Sequence, residues 1–181
     1  DLFTYNLLPC TVTGLSPTNG PFTGGTTVTI TGTNFIDVTA VHFGSTSAAS
    51  FTRVSETSIE AVAPSGTPGD SVHVTVTASS KTSEETENDL YTYIPCAITS
   101  ISPNQGTSGG GTTVTITGTS FIGVTAVYFG SVPAQSFTTL SSTSIAAIAP
   151  AGTPSTSVDI TVTASSQTSE VTANDRYSYF P

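Results

Sequence analysis

Apolar residues alternate with polar residues in several short runs of the chain. In residues 26–31, Val28 and Ile30 alternate with threonines, and in residues 71–77 three valines alternate with His73 and threonines. Strict alternation places the apolar side chains on one face of a strand and the polar side chains on the other. These runs therefore predict β-strands with one buried face.

Further short strands are expected between turn signals rich in glycine and proline. The turn signals include Asn19-Gly20-Pro21 and the run 64–68, because glycine permits positive φ and proline fixes φ. No run has the period or length of a substantial helix. The remaining strands are predicted near residues 11–16, 38–43, 49–54, 57–62 and 88–94.

The chain contains an internal repeat. Residues 10–95 align without a gap on residues 96–181, and most aligned positions are identical. The repeat predicts two domains with these boundaries. About seven short strands in each copy fit two stacked antiparallel sheets. We therefore predict an all-β fold with two tandem β-sandwiches.

The first residues of the chain resemble the closing strand of each copy, residues 89–93 and 175–179. We interpret residues 1–9 as the closing strand of a preceding repeat plus a linker. The alternative is a strand that is donated to a neighbouring subunit by β-augmentation. The residues of this candidate inter-subunit strand are Asp1, Leu2, Phe3, Thr4 and Tyr5.

The charge of the chain narrows the classes of partner. Only 8% of the residues are charged, and three Lys and Arg residues stand against twelve acidic ones, for a net charge of −9. Nucleic-acid binding requires clustered cations to neutralise phosphates, so we expect no nucleic-acid partner. An anionic membrane surface would repel the chain, and no apolar stretch is long enough for direct membrane insertion.

Several segments together resemble the IPT/TIG domain. In the first copy they are residues 16–21, 24–35, 41–44, 63–64 and 91–93, and in the second copy residues 102–103, 106, 110–121, 127–130, 149–150 and 177–179. The resemblance implies an immunoglobulin-like early-set sandwich with no shared catalytic residues. Such domains serve as spacers in bacterial surface proteins, as accessory modules of polysaccharide-active enzymes, in receptor ectodomains and as dimerisation domains of some transcription factors. The negative charge disfavours the last use, so an extracellular or cell-surface (secreted) location is expected.

The two histidines are the only imidazoles that could serve as a general base. Neither recurs in the second copy, where Tyr128 replaces His42 and Asp159 replaces His73. His73 falls on the threonine-bearing face of its strand, so we expect it to be solvated. No Gly-x-Ser-x-Gly sequence is present. The sequence therefore predicts no catalytic residue, and a protein that is not an enzyme.

Carboxylates cluster before the closing strand of the first copy. Glu84, Glu85, Glu87 and Asp89 could supply oxygen ligands for Ca²⁺, but the second copy lacks two of them. A charged strand edge that resists unwanted pairing explains the cluster more simply. We therefore predict no metal site and no cofactor, with calcium binding as the alternative.

Cys10 and Cys96 occupy equivalent positions at the entry of the first strand of each copy. If the copies are arranged end to end, their separation exceeds the reach of a disulfide. Two interpretations remain open. The thiols are either buried as small hydrophobic groups, or they form intermolecular disulfides or contacts between modules.

These observations favour a structural role. We expect rigid modules in series that act as a spacer or stalk, as in an adhesin, or a homopolymer subunit of an extracellular filament that contacts neighbouring repeats of the same or identical chains. The alternative is an accessory binding module for a polysaccharide or protein ligand, attached to an enzyme or adhesin. The absence of Trp weakens the polysaccharide hypothesis, because sugars commonly stack on exposed aromatic rings.

Overall fold

The computed structural model describes residues 8–181. The chain divides into two compact units between Ile94 and Pro95. We call residues 8–94 module 1 and residues 95–181 module 2. Both are all-β sandwiches, which confirms the predicted fold class. The predicted inter-subunit strand, residues 1–5, lies outside the described residues.

Module 1 is built from longer strands, a few short strands and one 3-10 helix. The longer strands are β1 (Thr11–Ser16), β3 (Thr27–Thr33), β4 (Val38–Phe43), β6 (Ser50–Ser55), β7 (Ser58–Val62), β8 (Ser71–Ala78) and β10 (Leu90–Ile94). The short elements are β2 (Asn19–Pro21), β5 (Thr46–Ser47), β9 (Lys81–Thr82) and the 3-10 helix Glu87–Asp89.

Module 2 repeats the same order of elements. Its longer strands are β11 (Ala97–Ser102), β13 (Thr113–Thr119), β14 (Val124–Phe129), β16 (Ser136–Ser141), β17 (Ser144–Ile148), β18 (Thr156–Ala164) and β20 (Arg176–Phe180). The short elements are β12 (Gln105–Thr107), β15 (Val132–Pro133), β19 (Gln167–Thr168) and the 3-10 helix Ala173–Asp175.

Each module consists of two sheets. In module 1 the first sheet has the order β1-β3-β7-β6, and the second has the order β2-β10-β8-β4-β5 with β9 beside β8. All these pairs are antiparallel except β10 with β2, which is parallel. Module 2 has the same topology with the corresponding strands. The hydrophobic core of each module lies between its two sheets.

The alternating pattern of β3 places its apolar residues in the core. Val28 and Ile30 are 0% exposed, while Thr27 and Thr31 face solvent. Because β3 is paired on both sides, by β1 and β7, its backbone groups are also satisfied. Burying side chains of this size stabilises the fold by about 1.5–3 kcal/mol each.

Aromatic rings fill the core beside the closing strand. In module 1 the Tyr91 ring lies edge-on to Phe43 at 5.1 Å and to Tyr93 at 5.3 Å between centroids. Module 2 repeats this packing around Tyr177. Such edge-to-face pairs add about 0.5–1.5 kcal/mol beyond the burial of apolar area. The closing strand is therefore strongly attached to its own module.

Two glycines of module 1 allow the backbone to approach these rings. A Cβ atom at Gly20 would collide with the hydroxyl of Tyr91, and one at Gly66 would collide with the ring of Tyr93. Glycine is the residue that permits such close approach. The equivalent pairs of module 2 are Gly106 with Tyr177 and Gly152 with Tyr179.

One predicted turn is instead a strand. Asn19–Pro21 forms β2, which pairs in parallel with Thr92–Ile94 of the closing strand. The residue types are typical of a turn. They form a strand because β10, the last strand of the module in the sequence, pairs with them. Residues 8–181 contain no helix that is long and apolar enough to cross a membrane.

Candidate functional site

The closing strand of module 1 is preceded by a capped 3-10 helix. The N–H and the hydroxyl of Thr86 donate to Oδ2 of Asp89 over 2.8 and 3.1 Å, and the Asn88 N–H donates to the Thr86 hydroxyl over 3.3 Å. Thr and Asp at this spacing form a capping box, which satisfies the free backbone donors of a helix start. Asp89 is 0% exposed, so its carboxylate is a buried anchor of the closing strand.

The second carboxylate oxygen of Asp89 bonds a histidine from the neighbouring strand. His73 lies on β8 opposite Leu90, and its Nδ1 is 2.6 Å from Oδ1 of Asp89. The Nε2 atom is 3.9 Å from Oε2 of Glu85. His73 is 35% exposed, so its side chain keeps contact with solvent as expected, but it also has a buried partner that the sequence interpretation did not include. The strand pairing brings it against a buried acid far along the chain.

This arrangement favours the protonated imidazole. The hydrogen bond to Asp89 is the main cause that raises the pKa of His73 above its ordinary value; desolvation acts against it, and the charges of Asp89 and Glu85 assist. A charge-assisted hydrogen bond to a buried acid is stronger than a neutral one. The pair joins β8 to the residue that precedes the closing strand.

The stability of module 1 should therefore decrease as pH rises above neutrality. A raised folded-state pKa means that the contribution of His73 is complete below its unfolded-state pKa of about 6.5 and is lost as pH passes the folded-state pKa. We expect the unfolding midpoint of module 1 to fall across this window in the full chain. His73→Gln, which does not titrate, should remove this slope; an unchanged slope would contradict the assignment.

Module 2 keeps the anchor but not its histidine. Oδ2 of Asp175 accepts from the N–H and hydroxyl of Thr172 over 2.8 and 3.3 Å, as in module 1. Asp175 is also 0% exposed, but its Oδ1 is buried without a hydrogen-bond partner. Asp159 occupies the position of His73 and offers no donor when ionised.

Both predicted cysteine sites are buried free thiols within their own modules. Cys10 and Cys96 are each 2% exposed. The Cys10 thiol lies 3.3 Å from the carbonyl of Val76, and that of Cys96 lies 3.8 Å from the carbonyl of Val162. Burial raises the pKa of Cys96 to about 11. This environment favours the hydrophobic interpretation of the thiols, and the intermolecular disulfide stays a prediction.

The native thiols should be unreactive. The cysteine thiolate is the nucleophile that attacks a disulfide reagent and displaces half of it as a thiolate, and burial disfavours the thiolate form at Cys96 and limits access at Cys10. We expect no labelling of the folded chain by such a reagent at about pH 8 and two equivalents after denaturation. Rapid labelling of the native chain would indicate that these sites are available for cross-linking.

The acidic segment does not converge on a metal site. Glu84, Glu85 and Glu87 are exposed, whereas Asp89 is buried in the capping interaction. Within residues 8–181, no group of three or more His, Cys, Asp or Glu side chains is arranged to hold a metal ion. Asp89 is therefore not part of the predicted charged edge. The sequence interpretation missed its role in capping the 3-10 helix. The Thr-x-x-Asp spacing of Thr86 and Asp89 is the sequence pattern that indicates this capping box.

The junction residues are hydrogen-bonded within the modules to which they belong. Strand β10 ends at Ile94 and β11 begins at Ala97. The Ile94 carbonyl accepts from the N–H of Phe22 over 3.1 Å in module 1. The Pro95 carbonyl accepts from the hydroxyl of Thr119 over 2.8 Å in module 2. Ordered structure therefore continues to both sides of the Ile94–Pro95 bond.

Cys96 completes this attachment on the side of module 2. Its N–H donates to Oε1 of Gln167 over 2.8 Å, and its side chain is buried. A buried side chain and a bonded N–H fix the residue in its own module. The cysteine position therefore anchors the entry of β11.

Module 2 contains an open cleft of about 410 Å³. Its walls combine apolar and hydroxyl-bearing side chains and include no charged residue. Tyr179 borders the cleft but is only 4% exposed, so its ring face is not presented for stacking. The lining residues are Phe129, Ser131, Val132, Ala151, Gly152, Thr153, Thr156, Val158 and Tyr179.

Comparison with known proteins identifies one family. The model of the IPT/TIG domain matches residues 10–93 and again residues 95–179. A comparison with curated proteins finds no match.

In the solved structures that this chain resembles, the matching region is part of a longer chain. A crystal structure with a xylogluco-oligosaccharide has a TM-score of 0.57 and 21% identity, over 94% of this chain and 40% of that chain. The Plexin A4 full extracellular region has a TM-score of 0.46 and 24% identity, over 94% and 18%. SGBP-B from a xyloglucan utilization locus of Bacteroides uniformis has a TM-score of 0.38 and 19% identity, over 93% and 49%. This chain spans less than half of each of these proteins, and the likeness concerns the fold alone.

Proposed function

The chain belongs to the IPT/TIG domain family, and from this premise we propose that it is a non-catalytic structural part of an extracellular protein, in which two modules act as a rigid spacer or stalk. The observation that carries the proposal is the junction. Ile94 is bonded into module 1, and Pro95 and Cys96 are bonded into module 2. A spacer needs a connection of this kind, because a flexible linker would not transmit direction.

The chemistry of the junction restricts its freedom. Pro95 has a fixed φ and limits the backbone of the preceding Ile94. Burial of Cys96 fixes the following residue. The rotatable backbone between the modules is therefore short, and a preferred arrangement of the modules follows from it as an expectation.

The residues that could do chemistry are engaged in structural contacts. His73 is bonded to the buried Asp89, and Cys10 and Cys96 are buried thiols. These arrangements support a non-catalytic role. The low content of charge and the threonine-rich strand faces suit a surface that is exposed to solvent along its length, and an extracellular location is part of the proposal.

A polymer subunit is a variant of the same structural role. Strand β16 lies at the end of the four-stranded sheet of module 2, carries no charged residue, and exposes 62% of Leu140. An uncharged edge can accept an added strand. Residues 1–5 of a neighbouring chain would supply that strand. Deleting residues 1–9 should then abolish polymerisation, and unchanged polymers would end this variant.

A binding module is the second candidate function. The cleft of module 2 supplies hydroxyl groups and apolar surface, and a protein of similar fold has been crystallised with a xylogluco-oligosaccharide. The burial of the Tyr179 ring weighs against sugar stacking in the cleft. A glycan array and a protein pull-down with the full chain separate the two functions. Reproducible binding that is lost in Thr153→Ala would favour the binding module, and silence in both assays would favour the spacer.

The spacer proposal is tested at the junction by amide relaxation of the ¹⁵N-labelled chain. We expect the order parameters of Ile94 and Cys96 to equal those of the strands, about 0.85. A variant with Gly-Ser-Gly-Ser inserted after Ile94 is the control and should show low order parameters in the insert. Low values at Ile94 and Cys96 of the unmodified chain would overturn the proposal.

A further inference from the structure

We propose that module 2 binds a divalent cation of the calcium class between Asp159 and Asp175, at the place that an imidazole occupies in module 1. Asp175 is a fully buried acid with an unpartnered Oδ1 atom. The equivalent atom in module 1, Oδ1 of Asp89, has the Nδ1 atom of His73 2.6 Å away. The two modules thus differ in the partner of the same buried oxygen.

The surrounding frame is the same in both modules. The Thr172 N–H donates to Oδ2 of Asp175 over 2.8 Å, the distance found for Thr86 and Asp89. Asp159 lies opposite Arg176 in the pairing of β18 with β20, as His73 lies opposite Leu90. The Oδ2 atom of Asp175 is therefore held as in module 1, and from this shared frame we infer that its Oδ1 faces the position of residue 159, as Oδ1 of Asp89 faces His73.

Two carboxylates in this arrangement would require a positive partner. An ionised Asp159 accepts hydrogen bonds but donates none, so it cannot satisfy the buried Oδ1 of Asp175 as His73 satisfies Asp89. A buried charged group without a partner is costly. A cation placed between the two acids removes this cost and binds both.

The available ligands are oxygens. They include the carboxylates of Asp159 and Asp175, and the Thr172 carbonyl is a third, because the equivalent carbonyl of Thr86 lies against the ring of His73. Calcium and magnesium prefer carboxylate and carbonyl oxygens, with water in the remaining positions. Three protein ligands predict weak binding, with a dissociation constant of about 10⁻⁴–10⁻³ M.

Arg176 and Glu170 are the other charged residues of this segment, and both side chains are exposed. Arg176 lies across from Asp159, so its guanidinium is a competing partner for the acids. Within residues 8–181, no ion pair of 4.0 Å or less joins Arg176 to a carboxylate. Arg176 therefore does not supply the positive partner of the two acids in this structure.

The test is a titration of the ¹⁵N-labelled full chain with CaCl₂ at constant ionic strength. We expect saturable shifts of the amides of Asp159, Thr172 and Asp175, and none at the equivalent His73, Thr86 and Asp89 of module 1. MnCl₂ at trace concentration should broaden the same amides of module 2 selectively. Absence of a saturable shift, or equal shifts in both modules, would overturn the proposal.

Exchanging the differing residues provides matched controls. Asp159→His installs the histidine of module 1 and should weaken calcium binding by about tenfold or more while keeping module 2 folded. His73→Asp should give module 1 a calcium response that it lacks. Arg176→Leu removes the competing cation and should tighten binding.

A shared proton is the competing explanation for the two acids. Shifts of the Asp159 and Asp175 amides that follow pH but not calcium would show that a proton, and not a metal ion, joins the carboxylates. That result would overturn the cation site. A calcium response that persists unchanged in Asp159→His would overturn it as well.

Discussion

Replacing Phe35 with alanine should lower the free energy of unfolding of module 1 by about 3–5 kcal/mol. The ring is 0% exposed and lies against Gly32, where a Cβ atom would collide with it. Its removal leaves a cavity that a β-sandwich fills poorly, because the strands on both sides are fixed by hydrogen bonds. Peptide-resolved hydrogen exchange of the full chain in increasing urea would measure this loss for each module.

The same experiment tests whether the modules fold separately. Module 2 should be unaffected by Phe35→Ala, because its core is its own. Val54 is 58% exposed, and Val54→Ala is the surface control with an expected change within about 0.5 kcal/mol. Equal destabilisation of both modules by Phe35→Ala would contradict a description as two separate folding units.

Replacing Asp89 with alanine should destabilise module 1 by about 3 kcal/mol, since it removes three hydrogen bonds of a buried carboxylate. In calcium-free buffer, Asp175→Ala should cost module 2 less, by about 1 kcal/mol, because Oδ1 of Asp175 then has no partner to lose. Urea unfolding of the two variants, resolved by module, gives the difference.

The informative result is which of the two variants, Asp89→Ala or Asp175→Ala, loses more stability. Asp89→Asn keeps an acceptor for Thr86 but removes the charge that His73 faces, so an intermediate loss is expected at acidic pH. If Asp175→Ala were as costly as Asp89→Ala, the unpartnered oxygen of Asp175 would have a partner in solution. That outcome would agree with a bound cation at calcium concentrations that saturate the site.

The strands with alternating side chains could be predicted from sequence because their pattern is local. Val28 and Ile30 are buried where the alternation places them, and the repeat alone predicts that Val114 and Ile116 follow. The sandwich fold follows from such strands, since each needs a second sheet to cover its apolar face.

The interactions that sequence reasoning missed join residues far apart along the chain. The strand neighbours of His73 are threonines, and nothing in that local pattern indicates that the residue before the closing strand, the buried Asp89, lies beside it. Likewise, Asn19 and Gly20 have turn residues around them, and only the parallel pairing with β10 makes them a strand. A local pattern indicates which face a side chain occupies, but not which partner comes to that face.

The divergence between the modules also needed the structure. The replacement of His73 by Asp159 is visible in the repeat, yet its meaning depends on the carboxylate that faces it. Because Asp175 is buried, the loss of the histidine leaves its Oδ1 atom without a hydrogen-bond partner. The repeat shows which residue is replaced, and the structure shows which atom loses its partner.

The central claim is that the two modules form a spacer with a preferred arrangement, and small-angle X-ray scattering of the full chain tests it most directly. The control carries Gly-Ser-Gly-Ser after Ile94, which adds a flexible linker. We predict that one arrangement of the modules fits the scattering of the unmodified chain, while the control requires an ensemble. If the unmodified chain also requires a freely jointed ensemble, indistinguishable from that of the control, the spacer account is contradicted.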